Sequence, residues 1–504
     1  MGVRLTWGVF APYFAAGLLV GCGGGGGGYG GGGSGSVPAP TVSFTAPMQA
    51  SSISLGQAVT LTWQSAYATS CAASASASAG AFTSTAASGT VTVAPTATGS
   101  ASYMLNCMGS GGTATATVTV TVNPNIVSTL SVAKIVTIGP ALDPAKSQFN
   151  GNPYGLVIAP TTAGLITKGD LIVCNFNAAV MSAQTASVQG TGTTIVGLHP
   201  AAGSMPYPIA DDPKLEGCNA LAIFPDDSIA AAAWAPSLNP LVTATGLVND
   251  PFGSAGAGDK FVGPWGEAYA PGGTAGVENP ALYVSEFDGS IDRIDLNVDA
   301  QSKYTKIATG FCVSGSPGAI FAPSGLTYDP SIDTLYVVDT SSNSVVAFAK
   351  ASTITSAGVV VNGQCPAGTP TPPTPALTFS GPMAASARVI AQGGPLIAPI
   401  SAALLSNGDL IVANGDLNIT AAQMPNLAVE VSPVVPGGFV GQPIQLDAGT
   451  TTPQAPACGA TGAGATPSCG QAALFGIVAT VDAQGNPLIY FNDDNANAVM
   501  LITK

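Results

Sequence analysis

The chain has 504 residues, of which only 8% are charged, and its 26 acidic side chains against 12 basic ones give a net charge of −14. A nucleic-acid partner requires a basic groove that displaces counterions from phosphate, and no cluster of Lys and Arg occurs here. The same balance argues against a purely electrostatic grip on anionic lipid.

Residues 1–21 read as an export leader. Arg4 supplies a positive start, Leu5 to Val20 an apolar stretch, and Leu19-Val20-Gly21-Cys22 fits a lipobox. In a lipobox, small residues mark cleavage directly before a cysteine whose sulfur takes a diacylglycerol. Pro12 and the shortness of the apolar run disfavour a membrane-spanning helix. The expected mature protein is a lipoprotein anchored through acyl chains such as palmitate at Cys22, since stable anchoring takes more than one chain. Gly23 lacks the aspartate that retains lipoproteins at the inner membrane, which favours the outer membrane, periplasmic or surface-exposed. The lipidated cysteine and a Gly-rich tether fill 22–37, with a reach on the order of 20 Å.

Residues 38–123 form a separate unit. Val59-Thr60-Leu61-Thr62-Trp63 and Thr113 to Val122 alternate as half-buried strands do, with further strands at Val91-Thr92-Val93 and Tyr103-Met104-Leu105. The order Thr-Leu-Thr-Trp, Ala-Thr-Ser-Cys, Tyr-x-Leu-x-Cys resembles bacterial Ig-like domains, which implies a β-sandwich used as a spacer.

From 130 to 504 one unit recurs six times. The clearest copy is Pro323-Ser324-Gly325-Leu326, then Thr334-Leu335-Tyr336-Val337-Val338-Asp339, then Ser344-Val345-Val346-Ala347-Phe348. The other copies begin near Pro153, Cys218, Pro264, Pro399 and Leu474. Strand-only, turn-punctuated repeats of this size are the mark of propeller blades. The pattern resembles the NHL repeat, and Gly151 to Gly155 with Gly169 to Asn177 is similar to a family of uncharacterised bacterial six-bladed propellers. The predicted fold is therefore all-β, an Ig-like β-sandwich followed by a six-bladed β-propeller. Leu130 to Val136 precedes the first copy and is expected to pair with the last, closing the ring and removing exposed edges.

Nine cysteines less Cys22 leave eight, an even number suited to an oxidising compartment. Eight allow 105 pairings. Position suggests Cys71 with Cys107, Cys174 with Cys218, Cys312 with Cys365 and Cys458 with Cys469. No Cys-x-x-Cys occurs, which disfavours a dithiol centre or haem attachment.

Six-bladed propellers of the lactonase type hold calcium or another divalent cation at the channel through Glu, Asn and Asp. The residues expected to face the channel are Tyr154, Asn219, Trp265, Ser324, Ile400 and Phe475, the ones that precede the small residue of each first strand. Only Asn219 among them is a cation ligand, and Glu267 is its best companion, so Glu267 with Asn219 is the candidate metal pair. Tyr154, Trp265 and Phe475 would give a stacking floor for a sugar or an aromatic ligand. The strand-ending Asn175, Asp339, Asn414, Asn492 and Asp493 read as structural. His199, the only histidine, reads as a surface loop residue with no nucleophile motif beside it. Gly190-Thr191-Gly192-Thr193 is a turn, not a phosphate loop.

Three functions remain: a lipid-anchored envelope protein whose propeller binds a small ligand or a glycan, a divalent-metal-dependent hydrolase of the lactonase type, and a subunit docking another envelope protein. The last would use the insertions at Cys365 to Pro375 and Ala448 to Gln471. The binding protein, without catalysis or cofactor, is the preferred reading.

Overall fold

A computed structural model describes residues 37–504 apart from 47–50, 56–57, 127–129, 131–133, 142–149, 179–189, 253–260, 274–278, 297–302, 317–318, 364–375, 416–425, 436, 441–442, 447–473, 494–495 and 504. The leader, Cys22 and the tether lie outside the described residues. Among the described residues, no helix is long and apolar enough to cross a membrane.

Two sheets build the first unit. Val59–Ala66 lies between Thr41–Ala46 and Gly89–Val93, and the second sheet runs Ser51–Ser54, Gly112–Asn123, Gly99–Gly109, Ser70–Ala75. Alternation places Leu61, Trp63, Tyr103, Leu105, Val118 and Val120 inside. Phe82 ties Trp63 to Tyr103, its ring 5.8 Å from each in edge-on contact. Tyr103 satisfies its buried hydroxyl on the Ala79 carbonyl at 2.8 Å. Cys71 and Cys107 are bonded to each other and sit directly opposite on neighbouring strands of one sheet. That differs from the inter-sheet bridge of antibody domains. Residues 37–123 contain no Asp, Glu, Lys, Arg or His. Hydroxyls such as those of Thr113, Thr115, Thr117, Thr119 and Thr121 therefore provide the outer polar face.

Six further sheets are the blades. Their innermost strands are Asn150–Ile158, Cys218–Ile223, Pro264–Ala270, Pro323–Asp329, Pro399–Leu404 and Leu474–Val481. Each pairs antiparallel with the next strand in sequence, and each packs against the innermost strand of the following blade until the sixth meets the first. The ends of the propeller do pair, but through a strand later than the expected Leu130 to Val136: Lys134–Pro140 is the fourth strand of blade 6, hydrogen-bonded to Ala498–Thr503. Blade 3 differs from the repeat. Val359–Asn362 and Thr378–Ser380, which follow blade 4's third strand in the chain, extend blade 3 to six strands, and Val359–Asn362 runs parallel to Lys303–Thr309.

All six innermost strands share one irregularity. Pairing with the second strand slips by one residue at Tyr154/Gly155, Asn219, Trp265, Ser324/Gly325, Ile400 and Phe475/Gly476. A bulge of this kind re-aims side chains and sharpens the local twist. It also explains the small residue that follows. A Cβ on Gly266 would lie 1.7 Å from the Ser324 carbonyl oxygen, on Gly325 2.5 Å from the Ser401 Cα, and on Gly476 2.4 Å from the Tyr154 carbonyl oxygen. The glycines let each blade's bulge approach the backbone of the next.

Candidate functional site: the axial channel

Because each innermost strand pairs on one side only, its other edge faces the propeller axis. There the six strands enclose a cavity of about 420 Å³. Its two ends differ. At the start of the strands Tyr154, Asn219, Trp265, Ser324, Ile400 and Phe475 are all buried, whereas Ile158, Ile223, Tyr269, Thr327, Leu404 and Ala479 at the far end are partly exposed. The cavity is thus a pit that opens at the C-terminal ends of the innermost strands.

Aromatic rings form its floor. Tyr154 stacks on Phe475 with ring centres 3.7 Å apart and on Phe176 at 4.6 Å, and Trp265 meets Tyr154 edge-on at 6.0 Å. Blades 1, 3 and 6 therefore touch across the axis. The three residues expected as a stacking floor are brought together, but they stack on one another. With a ring on each face Tyr154 is sandwiched, and all three rings are buried to a similar degree.

Side chains at the bulges sew the blades together. Asn219 Nδ2 donates to the Pro264 carbonyl at 3.2 Å, Ser285 Oγ to Ser324 at 2.9 Å, Thr340 Oγ1 to Pro399 at 2.6 Å and Asn492 Nδ2 to Tyr154 at 2.9 Å, while Ser401 Oγ donates to the Phe475 carbonyl. These bonds span the seams from blade 2 to 3, 3 to 4, 4 to 5, 6 to 1 and 5 to 6. The remaining seam, blade 1 to 2, carries the Cys174–Cys218 disulfide. Cys312 is also disulfide-bonded, whereas Cys365, Cys458 and Cys469 lie outside the described residues.

Of the five strand-ending residues, Asp339 and Asp493 bind their own turns, Asp339 through Ser341 and Asp493 through the Ala496 amide. Asn175, Asn414 and Asn492 instead donate to carbonyls of neighbouring segments, those of Ala141, Pro395 and Tyr154. All five serve architecture.

Glu267 and Asn219 both line the cavity. Glu267 is 6% exposed and neither carboxyl oxygen has a hydrogen-bond partner; the same holds for the Asn219 Oδ1. Burial pushes the Glu267 carboxyl up to about 8. Asn239 and the Ala222 backbone sit close enough to favour the ionised form, though neither completes a hydrogen bond of good geometry. Asn239 itself is fully buried with both polar atoms unpaired. It comes from the irregular stretch between Ile229–Ala233 and Leu241–Val242, where no repeat marks it.

Calcium takes six to eight oxygens. One carboxyl and two amide oxygens fall short of that, and among the described residues no three of His, Cys, Asp and Glu gather. The donor set does not fit a divalent cation held by protein alone.

His199 has a partner that the sequence did not disclose. Its Nδ1 lies 2.6 Å from Asp170 Oδ1, and Asp170 Oδ2 accepts from Tyr207 Oη at 2.5 Å and from the Thr167 amide at 2.9 Å. Asp170 is buried while the imidazole is 60% exposed. The group clamps a turn of blade 1 to that blade's outer strands.

No family model matches the chain, and no curated protein matches it. Solved structures do. Virginiamycin B lyase from Staphylococcus aureus is 13% identical with a TM-score of 0.38, covering 74% of this chain and 99% of that one. A gluconolactonase from Xanthomonas campestris is 12% identical with a TM-score of 0.42, covering 74% and 90%. A Bacteroides thetaiotaomicron protein described as a putative phosphatase is 11% identical with a TM-score of 0.41, covering 91% and 96%. Likenesses this distant carry no functional argument; the fold rests on the sheets themselves.

Proposed function

We propose that this chain is an NHL-like propeller lipoprotein of the cell envelope, anchored at Cys22, whose axial pit binds a small molecule. The observation that carries this reading is the pit of about 420 Å³ closed by the Tyr154, Phe475 and Trp265 rings. Pockets of a few hundred Å³, mostly apolar with few polar groups, are the usual form of small-molecule sites. The Gly-rich tether gives the anchored protein reach and the sandwich acts as a spacer, whereas the insertions at 365–375 and 448–471, through which an envelope partner would dock in the third reading, lie outside the described residues.

The second reading, a lactonase-type hydrolase using Glu267 and Asn219 on a divalent cation, is favoured only by their unpaired buried oxygens. Elemental analysis of protein purified without chelator, paired with melting with and without EDTA, separates the two. The binding reading expects no stoichiometric metal and an unchanged melting temperature. A stoichiometric divalent ion with a melting temperature that falls on chelation would replace it with the hydrolase.

A further inference from the structure

Three buried polar atoms without hydrogen-bond partners belong to residues that line the pit at one seam, Asn219 Oδ1 and both carboxyl oxygens of Glu267, while the fully buried Asn239 is not among the lining residues. The seam lies between blades 2 and 3. Asn219 is tied to Pro264 at the start of the Glu267 strand, and Asn239 lies beside the Glu267 carboxyl. A buried polar atom left unpaired is costly, so three along one seam mark a spot completed by something bound.

The rest of the pit is of opposite character. Glu267 is the only carboxyl among its lining residues, and no Lys, Arg or His joins it. Aliphatic side chains such as Val157, Leu326 and Val478 make up much of its wall. The approach is apolar too. Innermost and third strands all run towards the open end, so the turns that follow them ring the mouth. Leu165, Met205, Leu247, Ile332, Val434 and Val481 occupy such turns or their edges and are between 42% and 71% exposed. On the opposite face of the propeller, Val262 is the one comparably exposed apolar residue among those described.

We propose that the pit takes an uncharged amphipathic molecule. Its aliphatic or aromatic body lies along the axis, and its single hydroxyl, amide or ester group meets the Glu267 carboxyl at the seam between blades 2 and 3. This rests on the binding reading above and names its ligand class. An uncharged polar group can both give and accept hydrogen bonds there. An anion would be buried with no cation to pair with, at high cost. A polyhydroxylated sugar would bring more hydroxyls than the apolar wall can satisfy.

The test is isothermal titration of the purified full-length protein with four probes: 1-octanol, octanoate, octylamine and glucose. The expected result is saturable, one-to-one binding of 1-octanol, at least about tenfold tighter than any of the other three. Glu267→Leu should weaken 1-octanol about tenfold, the worth of a hydrogen bond or two, and Glu267→Gln should weaken it less. Preferred binding of octylamine, octanoate or glucose overturns the ligand class and leaves a binding propeller. Binding of 1-octanol that Glu267→Leu does not change overturns the seam as the polar pole, with water then satisfying those atoms. No heat with any probe overturns both the ligand class and the binding reading. The selectivity among probes needs no variant, so it stands even if a substitution impairs folding.

Discussion

Asn492 in the last blade donates its side-chain amide to the carbonyl of Tyr154 in the first, 2.9 Å away across 338 residues of chain. It also reaches the Gly155 carbonyl at 3.3 Å. The bond closes the ring at the same level as the bulge contacts of the other seams. Asn492→Ala should leave buried carbonyls unpaired and cost roughly 1–3 kcal/mol, measured as a lower denaturation midpoint. Asn492→Asp should cost more, because a buried carboxylate would face those carbonyls.

The blade 1 to blade 2 seam carries Cys174–Cys218, whose partners are 44 residues apart, beside the hydrogen bonds of Thr161 to Asp227. Replacing both cysteines by Ser should cost roughly 2–4 kcal/mol. Limited proteolysis should then cut first in the turns of blades 1 and 2, and a cut elsewhere would place the weakest seam at another blade.

Gly266 has the closest approach of the bulge glycines. With 1.7 Å between an added Cβ and the Ser324 oxygen, Gly266→Ala must push blades 3 and 4 apart. A loss of roughly 3 kcal/mol in denaturant melts is expected. Near-neutral stability would show that the bulge backbone shifts freely.

Much of this was legible in the chain. The x-Gly pairs after Pro153, Pro264 and Pro323 pointed to the residues that reach the channel, because the bulge requires a small residue beside an inward-turned one. Other features had no local mark. Asn239 comes from a connection that does not repeat, so nothing in its neighbourhood flags it. The ring-on-ring stacking of Tyr154 and Phe475 joins chain positions far apart that meet only when the propeller closes. Val359–Asn362 follows blade 4's strands in the chain but extends blade 3, and that choice depends on an open edge at Lys303–Thr309 rather than on its own sequence.

Burial sets the pH response. The Glu267 and Glu286 carboxyls are raised by desolvation from the usual 4.5 to about 8 and about 9. Between those values the folded chain holds protons that the unfolded chain has released. Their contribution to stability is therefore full below about pH 4.5 and is lost as pH rises through the folded values, at up to about 1.4 kcal/mol per pH unit for each group. Melts across this range should show that decline, and the double variant Glu267→Gln, Glu286→Gln should flatten it. A decline of unchanged slope in the double variant would place the titrating groups elsewhere.

The claim at the centre of this account is that ligand occupies the axial pit above the Tyr154, Phe475 and Trp265 floor. Hydrogen exchange read by mass spectrometry tests it most directly, with and without a saturating amount of whichever probe titrates. The unpaired edges of the innermost strands face the pit, so ligand should slow exchange in peptides covering 154–158, 219–223, 265–269 and 475–479 and leave the outer strands unchanged. Protection confined to the outer strands or to the sandwich would place the ligand elsewhere and contradict the account.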